Sequence, residues 1–258
     1  MPSLRDFFRN RNHMSVITSR EGRVFRVTIN RPEKRNALSI ELCHDLLVAF
    51  REAEVDKSVS VVLLDAAGPA FSSGMDLGEI ADPDFIRQAD VHEELLTIGF
   101  RFSKPIIAAV QGAIFGGAVA LVANAHIVVA AQDAKFCCTE IHIALWPYVA
   151  FRAIESAVGE RRAMELALTG RVATAAEACD WGLVQRVVPA DQLREAATRL
   201  AVQMEAFDAD ALSQGVQFIQ QSRGLSPEEA GMVARRFRDR AFQSPAFQSA
   251  VRRFISGK

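Results

Sequence analysis

The stretch Pro105–His126, PIIAAVQGAIFGGAVALVANAH, constrains this chain more than any other. Ile106–Val110 is short, apolar and bounded by Pro105 and Gly112, which predicts a buried strand. The run from Gly116 to Ala125 carries almost no polar residue, so as a helix it must be buried all round. A helix start leaves its first N–H groups without internal partners, at the positive end of the helix dipole. Glycines at that point let a ligand approach the backbone without meeting a Cβ. The pair Gly116 and Gly117 therefore reads in two ways: as an anion-binding turn, or as a means of packing a helix closely on a strand.

A second strand, Val61–Leu64, leads into AAGPAFSSGMDLGEI, where Gly74 precedes Met75 and a helix beginning near Asp76. Two strand ends with glycine-bearing loops can aim two backbone N–H groups at one carbonyl oxygen. Arg23–Ile29 reads as an early strand, and a turn at Arg31–Lys34 leads into a helix from Ser39 to Asp56 with the serine as its cap. Another short strand is expected at Ile127–Ala130. Strand and helix alternate, which predicts an α/β fold. From about Asp191 only helical patterns remain: Gln192–Ala206, Ala209–Arg223 and Pro227–Phe242. A chain of 258 residues with 50% hydrophobic content can bury one sizeable core and a small appended region.

Four ordered segments carry a resemblance: NRPEKRNAL at Asn30–Leu38, AFSSGMDL at Ala70–Leu77, VQGAIFGGAVAL at Val110–Leu121, and ELALTGRVATAAEACDWGLVQRVVP at Glu165–Pro189. From about Val24 to Pro189 the chain resembles the crotonase (enoyl-CoA hydratase/isomerase) superfamily. The resemblance implies a crotonase-like spiral of ββα units over residues 14–190, holding a CoA-ester site. It also implies a helical region at residues 191–258 that builds a homotrimer, commonly paired into a hexamer; a helical cap on its own core is the other reading. The main-chain N–H groups of Met75 and Gly117 would receive the oxygen of an acyl-CoA thioester. Lys34, Arg35, Ala37, Ser73, Gly74 and Gly116 would contact the coenzyme A portion. Arg252, Arg253 and Lys258 read as solvated charge, with contact to a neighbouring nucleotide as the alternative.

An enolate needs a base as well as an oxyanion site. In the resembled family one or two acids supply it, and here the first acidic position falls on Ala120, which cannot transfer a proton. The second falls on Glu140. Without the resemblance, Glu140 reads as an exposed loop carboxylate or a partner for an arginine. Moving a double bond from the 3,4 to the 2,3 position needs one carboxylate, which takes the C2 proton and returns it at C4. Hydration in this family usually divides its proton transfers between two glutamates. The pattern is similar to that of the Δ3,Δ2-enoyl-CoA isomerases. An enoyl-CoA hydratase is the alternative, and a weakly catalytic CoA-ester binding protein is a third reading. If the segment is extended, His142 points the same way as Glu140. Tyr148 could donate to an acyl group, and sequence order puts Phe85, Trp146 and Phe151 at the pocket wall.

A formal net charge of −1 gives no general attraction to nucleic acid or anionic membrane. No run approaches the roughly 20 apolar residues that span a bilayer, and MPSLRDFFRNRNHM lacks the apolar stretch of a signal peptide. A cytoplasmic protein is expected. Cys43, Cys137, Cys138 and Cys179 have neither CxxC spacing nor a secreted disulfide pattern, so free thiols are expected. His44, His92 and His126 are scattered, with no HExxH, so no metal site is expected. No resident cofactor is expected, coenzyme A entering as part of the substrate. Ser72 and Ser73 lack the setting of a nucleophile elbow.

Overall fold

The structure is a computed structural model and describes residues 14–256. Strands β1 (Val16–Glu21) and β2 (Val24–Ile29) form an antiparallel hairpin closed at Gly22, whose φ of 58° suits a residue without a Cβ. A 3-10 turn at Pro32–Lys34 leads into α1 (Ile40–Val55), where the Ser39 hydroxyl accepts from the Leu42 N–H as the expected cap. There follow β3 (Val61–Ala66), α2 (Leu77–Ile80), α3 (Asp90–Leu96), β4 (Ile106–Val110), β5 (Ala113–Phe115) and α4 (Gly117–Ala123). Next come β6 (Ile127–Ala131), β7 (Lys135–Cys137), α5 (Tyr148–Val158), α6 (Glu160–Thr169), β8 (Ala173–Thr174), α7 (Ala175–Asp180) and β9 (Arg186–Val188). The chain ends in α8 (Leu193–Glu205), α9 (Ala209–Ser222), α10 (Pro227–Gln243) and α11 (Pro245–Ile255).

The main sheet has the order β1-β2-β3-β4-β6-β9, and all its neighbours run parallel except β1 and β2. A parallel sheet must be covered on both faces, which is why its strands read as continuous apolar runs. Successive side chains divide between the faces. Val62, Leu64, Ile106 and Ala108 join the larger core with α1 and α4, while Val61, Leu63, Ile107 and Ala109 pack under Leu193, Ala197, Leu200 and Ala201 of α8. A small second sheet, β5-β7-β8, stands beside this one. Two isolated parallel bridges, Leu38 with Met75 and Ser72 with Ile114, tie the loop after β3 to the turn before α1 and to β5.

The expected α/β architecture is present, and the tail is helical throughout its described length. Three features escaped the sequence reading. β1 is exposed along almost its whole length, so it has no apolar alternation to betray it. The strands of the second sheet are too short to show a period. A fourth tail helix, α11, follows the three expected ones.

Candidate active site

The loop after β3 is held rigidly. Asn36, fully buried, accepts from the Arg31 N–H through Oδ1 and donates through Nδ2 to the carbonyls of Ala67 and Ala70. Gly74 packs against the carbonyl of Phe115: a Cβ there would lie 2.7 Å from that oxygen, and its φ of 90° suits glycine. The Leu38–Met75 bridge uses the Leu38 N–H, which donates to Gly74 O at 2.7 Å, and the Asp76 N–H, which donates to Leu38 O at 3.2 Å. Met75 therefore contributes no donor of its own to the bridge, and its N–H is turned to the other side of the strand. Asp76 continues the clamp by accepting from Arg31 at 2.8 Å and from the Gly78 N–H.

The second amide comes from the other strand end. Gly116 has φ 54° and ψ −133° and starts α4, leaving the N–H of Gly117 without an intrahelical partner. With seven residues, α4 is short and its dipole modest, so the oriented amide matters more than the helix field. Gly117 and Met75 lie side by side: a Cβ on Gly117 would be 3.9 Å from Met75 Cγ.

Glu140 closes the group. It sits on a 3-10 turn at Thr139–Ile143 and is 8% exposed, neither a surface carboxylate nor, among the described residues, the partner of an arginine. A Cβ on Gly116 would lie 3.4 Å from Glu140 Oε1, in ordinary contact, and 3.1 Å from Thr139 Oγ1, a tight one, so Gly116 borders the carboxyl directly. Glu140 Oε2 has no hydrogen-bond partner. Burial raises the Glu140 pKa above the ordinary glutamate value, against a smaller lowering by a backbone hydrogen bond.

These groups share one cavity of about 250 Å³, lined by Ser73, Met75, Leu77, Ile80, Gly116, Gly117, Thr139, Glu140, His142, Ile143 and Leu145. Glu140 is the one carboxylate in this wall. Ala120 is fully buried in the larger core and does not reach the cavity, so close packing fills the position where a second acid would stand. A cavity of about 530 Å³ lies between α9 and the core, but its wall holds no carboxylate. The smaller cavity is the one that brings a buried carboxylate beside Met75 and Gly117.

Of the residues singled out in the sequence, Met75, Gly117, Glu140, Ser73 and Gly116 meet at this cavity, and Gly74 backs it. Lys34, Arg35 and Ala37 do not line it. They belong to the neighbouring turn, which is joined to the rim where the Ser73 N–H donates to Arg35 O at 3.0 Å. Lys258 lies outside the described residues. His142 is not on an extended segment: the 3-10 turn swings its Nε2 to donate to Gly170 O at 2.9 Å, although the ring still borders the cavity. The expected wall of Phe85, Trp146 and Phe151 is wrong. Phe85 packs on His92, and Trp146 packs on Phe151 with centroids 5.6 Å apart. The apolar wall is instead Leu77, Ile80 and Ile143, on short helical turns, with Leu145 just beyond the second turn, and sequence order does not encode which way they face. Tyr148, at the start of α5, is 75% exposed and does not line the cavity. Cys43, Cys137, Cys138 and Cys179 are free thiols, as expected.

The enoyl-CoA hydratase/isomerase family profile matches residues 19–255. A probable enoyl-CoA hydratase of Rhizobium meliloti is 33% identical over 238 residues, covering 90% of each chain. The 2,3-dehydroadipyl-CoA hydratase of Escherichia coli is 34% identical over 224 residues, covering 86% of this chain and 87% of that one. The crystal structure of an enoyl-CoA hydratase of Mycobacterium smegmatis superposes with a TM-score of 0.91 at 28% identity, covering 95% of this chain and 98% of that one.

Proposed function

The chain belongs to the enoyl-CoA hydratase/isomerase family as an acyl-CoA-processing enzyme with the crotonase fold, and from that premise we propose that it shifts a double bond along an enoyl-CoA. In this reading the N–H groups of Met75 and Gly117 hold the thioester oxygen, and Glu140 takes a proton from C2 and returns it at C4. Two amides facing the oxygen lower the barrier because they meet charge that develops only as the dienolate forms. No metal or resident cofactor takes part.

The observation that carries the reading is the pairing of one buried carboxylate, Glu140, with a fully packed Ala120 where a second acid would stand. The raised pKa of Glu140 brings its proton affinity toward the working pH, where a group that must both take and return a proton is most effective. Lys34, Arg35, Ala37, Ser73, Gly74 and Gly116 form the proposed coenzyme A contact, and residues 191–258 the assembly region of a homotrimer or hexamer.

A second reading, hydration of a 2-enoyl-CoA, is favoured by the names of the relatives, which are hydratases. Incubation with 3-hexenoyl-CoA and, separately, with 2-hexenoyl-CoA distinguishes them by product mass. Isomerisation converts the 3-enoyl thioester with no change in mass. A product heavier by one water and no isomerisation would replace the first reading by the second.

A further inference from the structure

His92 is 4% exposed, and its Nδ1 is buried without any hydrogen-bond partner. An orphaned buried acceptor disfavours the fold, so its presence calls for an explanation. Its other ring nitrogen supplies one. Nε2 lies 3.0 Å from the Leu38 carbonyl oxygen. A carbonyl can only accept, so Nε2 carries the proton and Nδ1 is left as the bare acceptor.

That carbonyl is a working part of the site. Leu38 O also accepts the Asp76 N–H at 3.2 Å, while the Leu38 N–H donates to Gly74 O at 2.7 Å. These two bonds bracket Met75 and set the direction of its N–H. The imidazole, on α3 and packed at a tilt against the ring of Phe85 with centroids 5.5 Å apart, donates to the same oxygen. We infer that His92 is a positioning residue for the reaction, which fixes the Leu38 carbonyl so that the Met75 amide stays aimed at the thioester oxygen. This rests on the oxyanion reading given above. It also accounts for a buried histidine that does not line the cavity.

The test uses the intact protein with a thioester labelled at its carbonyl, whose infrared stretch moves to lower frequency when the oxygen accepts hydrogen bonds. Wild type and Glu140→Gln are expected to show the same lowering. His92→Met, which keeps bulk and loses the donor, should lose most of it and drop kcat about tenfold, with KM within about twofold. His92→Gln, whose amide can donate to Leu38 O, should restore the lowering and most of kcat. A His92→Met protein with the wild-type stretch and kcat overturns the role of His92. Failure of wild type itself to lower the frequency overturns the oxyanion reading and this inference with it. Should the methionine variant not fold, nitrogen NMR of the wild-type imidazole decides. An Nε2–H tautomer whose proton resonance moves on thioester binding supports the role; an Nδ1–H tautomer or an unmoved resonance overturns it.

Discussion

Glu140 combines burial with a lone unpartnered oxygen, and this has consequences for both stability and rate. Burial holds its pKa above the ordinary value of 4.5, so the native protein keeps a proton that the unfolded chain releases. Across the window from 4.5 up to the raised value, stability falls as pH rises, because the native state there binds more protons than the unfolded one. Glu140→Gln removes that loss. Thermal melts are expected to show the variant gaining over wild type as pH rises through the window, with no pH-dependent gap below it; a gap constant with pH would contradict the burial argument. In the same way the acid limb of kcat/KM should lie above 4.5, since the base must be ionised to act. Asn36 works differently, by saturating its hydrogen bonds. Its side chain joins the turn before α1 to the loop after β3, and Asn36→Ala should lower stability by about 1–3 kcal/mol in denaturant titration.

At the level of elements, the site depends on two strand ends whose loops are shaped by glycine. Gly116 has a positive φ and faces both Thr139 and Glu140, so Gly116→Ala is strained and crowded together. It should destabilise by about 1–3 kcal/mol and displace the Glu140 carboxyl, reducing kcat more than thioester affinity; unchanged turnover would show that this turn does not set the base. The elements legible from sequence were those with a strong pattern. Ile106–Val110 reads as a buried strand because both its neighbours are parallel, and α1 begins where Ser39 can cap it. The meeting of Met75, Gly117 and Glu140 at one cavity was legible too, because glycine neighbours mark the two strand ends and the loop motif marks the carboxylate. What was not legible depends on contacts across the fold. The cavity wall of Leu77, Ile80 and Ile143 lies on turns of four and five residues, with Leu145 in the irregular stretch that follows, too short for a period to show which side faces inward. The grip of His92 on Leu38 joins residues 54 positions apart, and no local pattern encodes it.

Across the whole molecule, the helices after α8 are underpacked for a monomer. Phe237 is the one buried residue of α9, α10 and α11, whereas Met232, Phe242, Phe247, Phe254 and Ile255 are exposed. Contact between copies of the chain would cover these side chains. Sedimentation is expected to give a trimer or hexamer, and Phe254→Asp with Ile255→Asp should shift it toward smaller species; a monomeric wild type would contradict the assembly reading. The core does not depend on that outcome, because α8 already covers the second face of the sheet. In the proposed reaction one buried carboxylate moves the proton. Turnover of 3-hexenoyl-CoA by Glu140→Gln, measured beside its affinity for the same thioester, tests this most directly. In that variant kcat is expected to fall by about 100- to 10,000-fold with affinity nearly unchanged, and turnover within about tenfold of wild type would rule out Glu140 as the base.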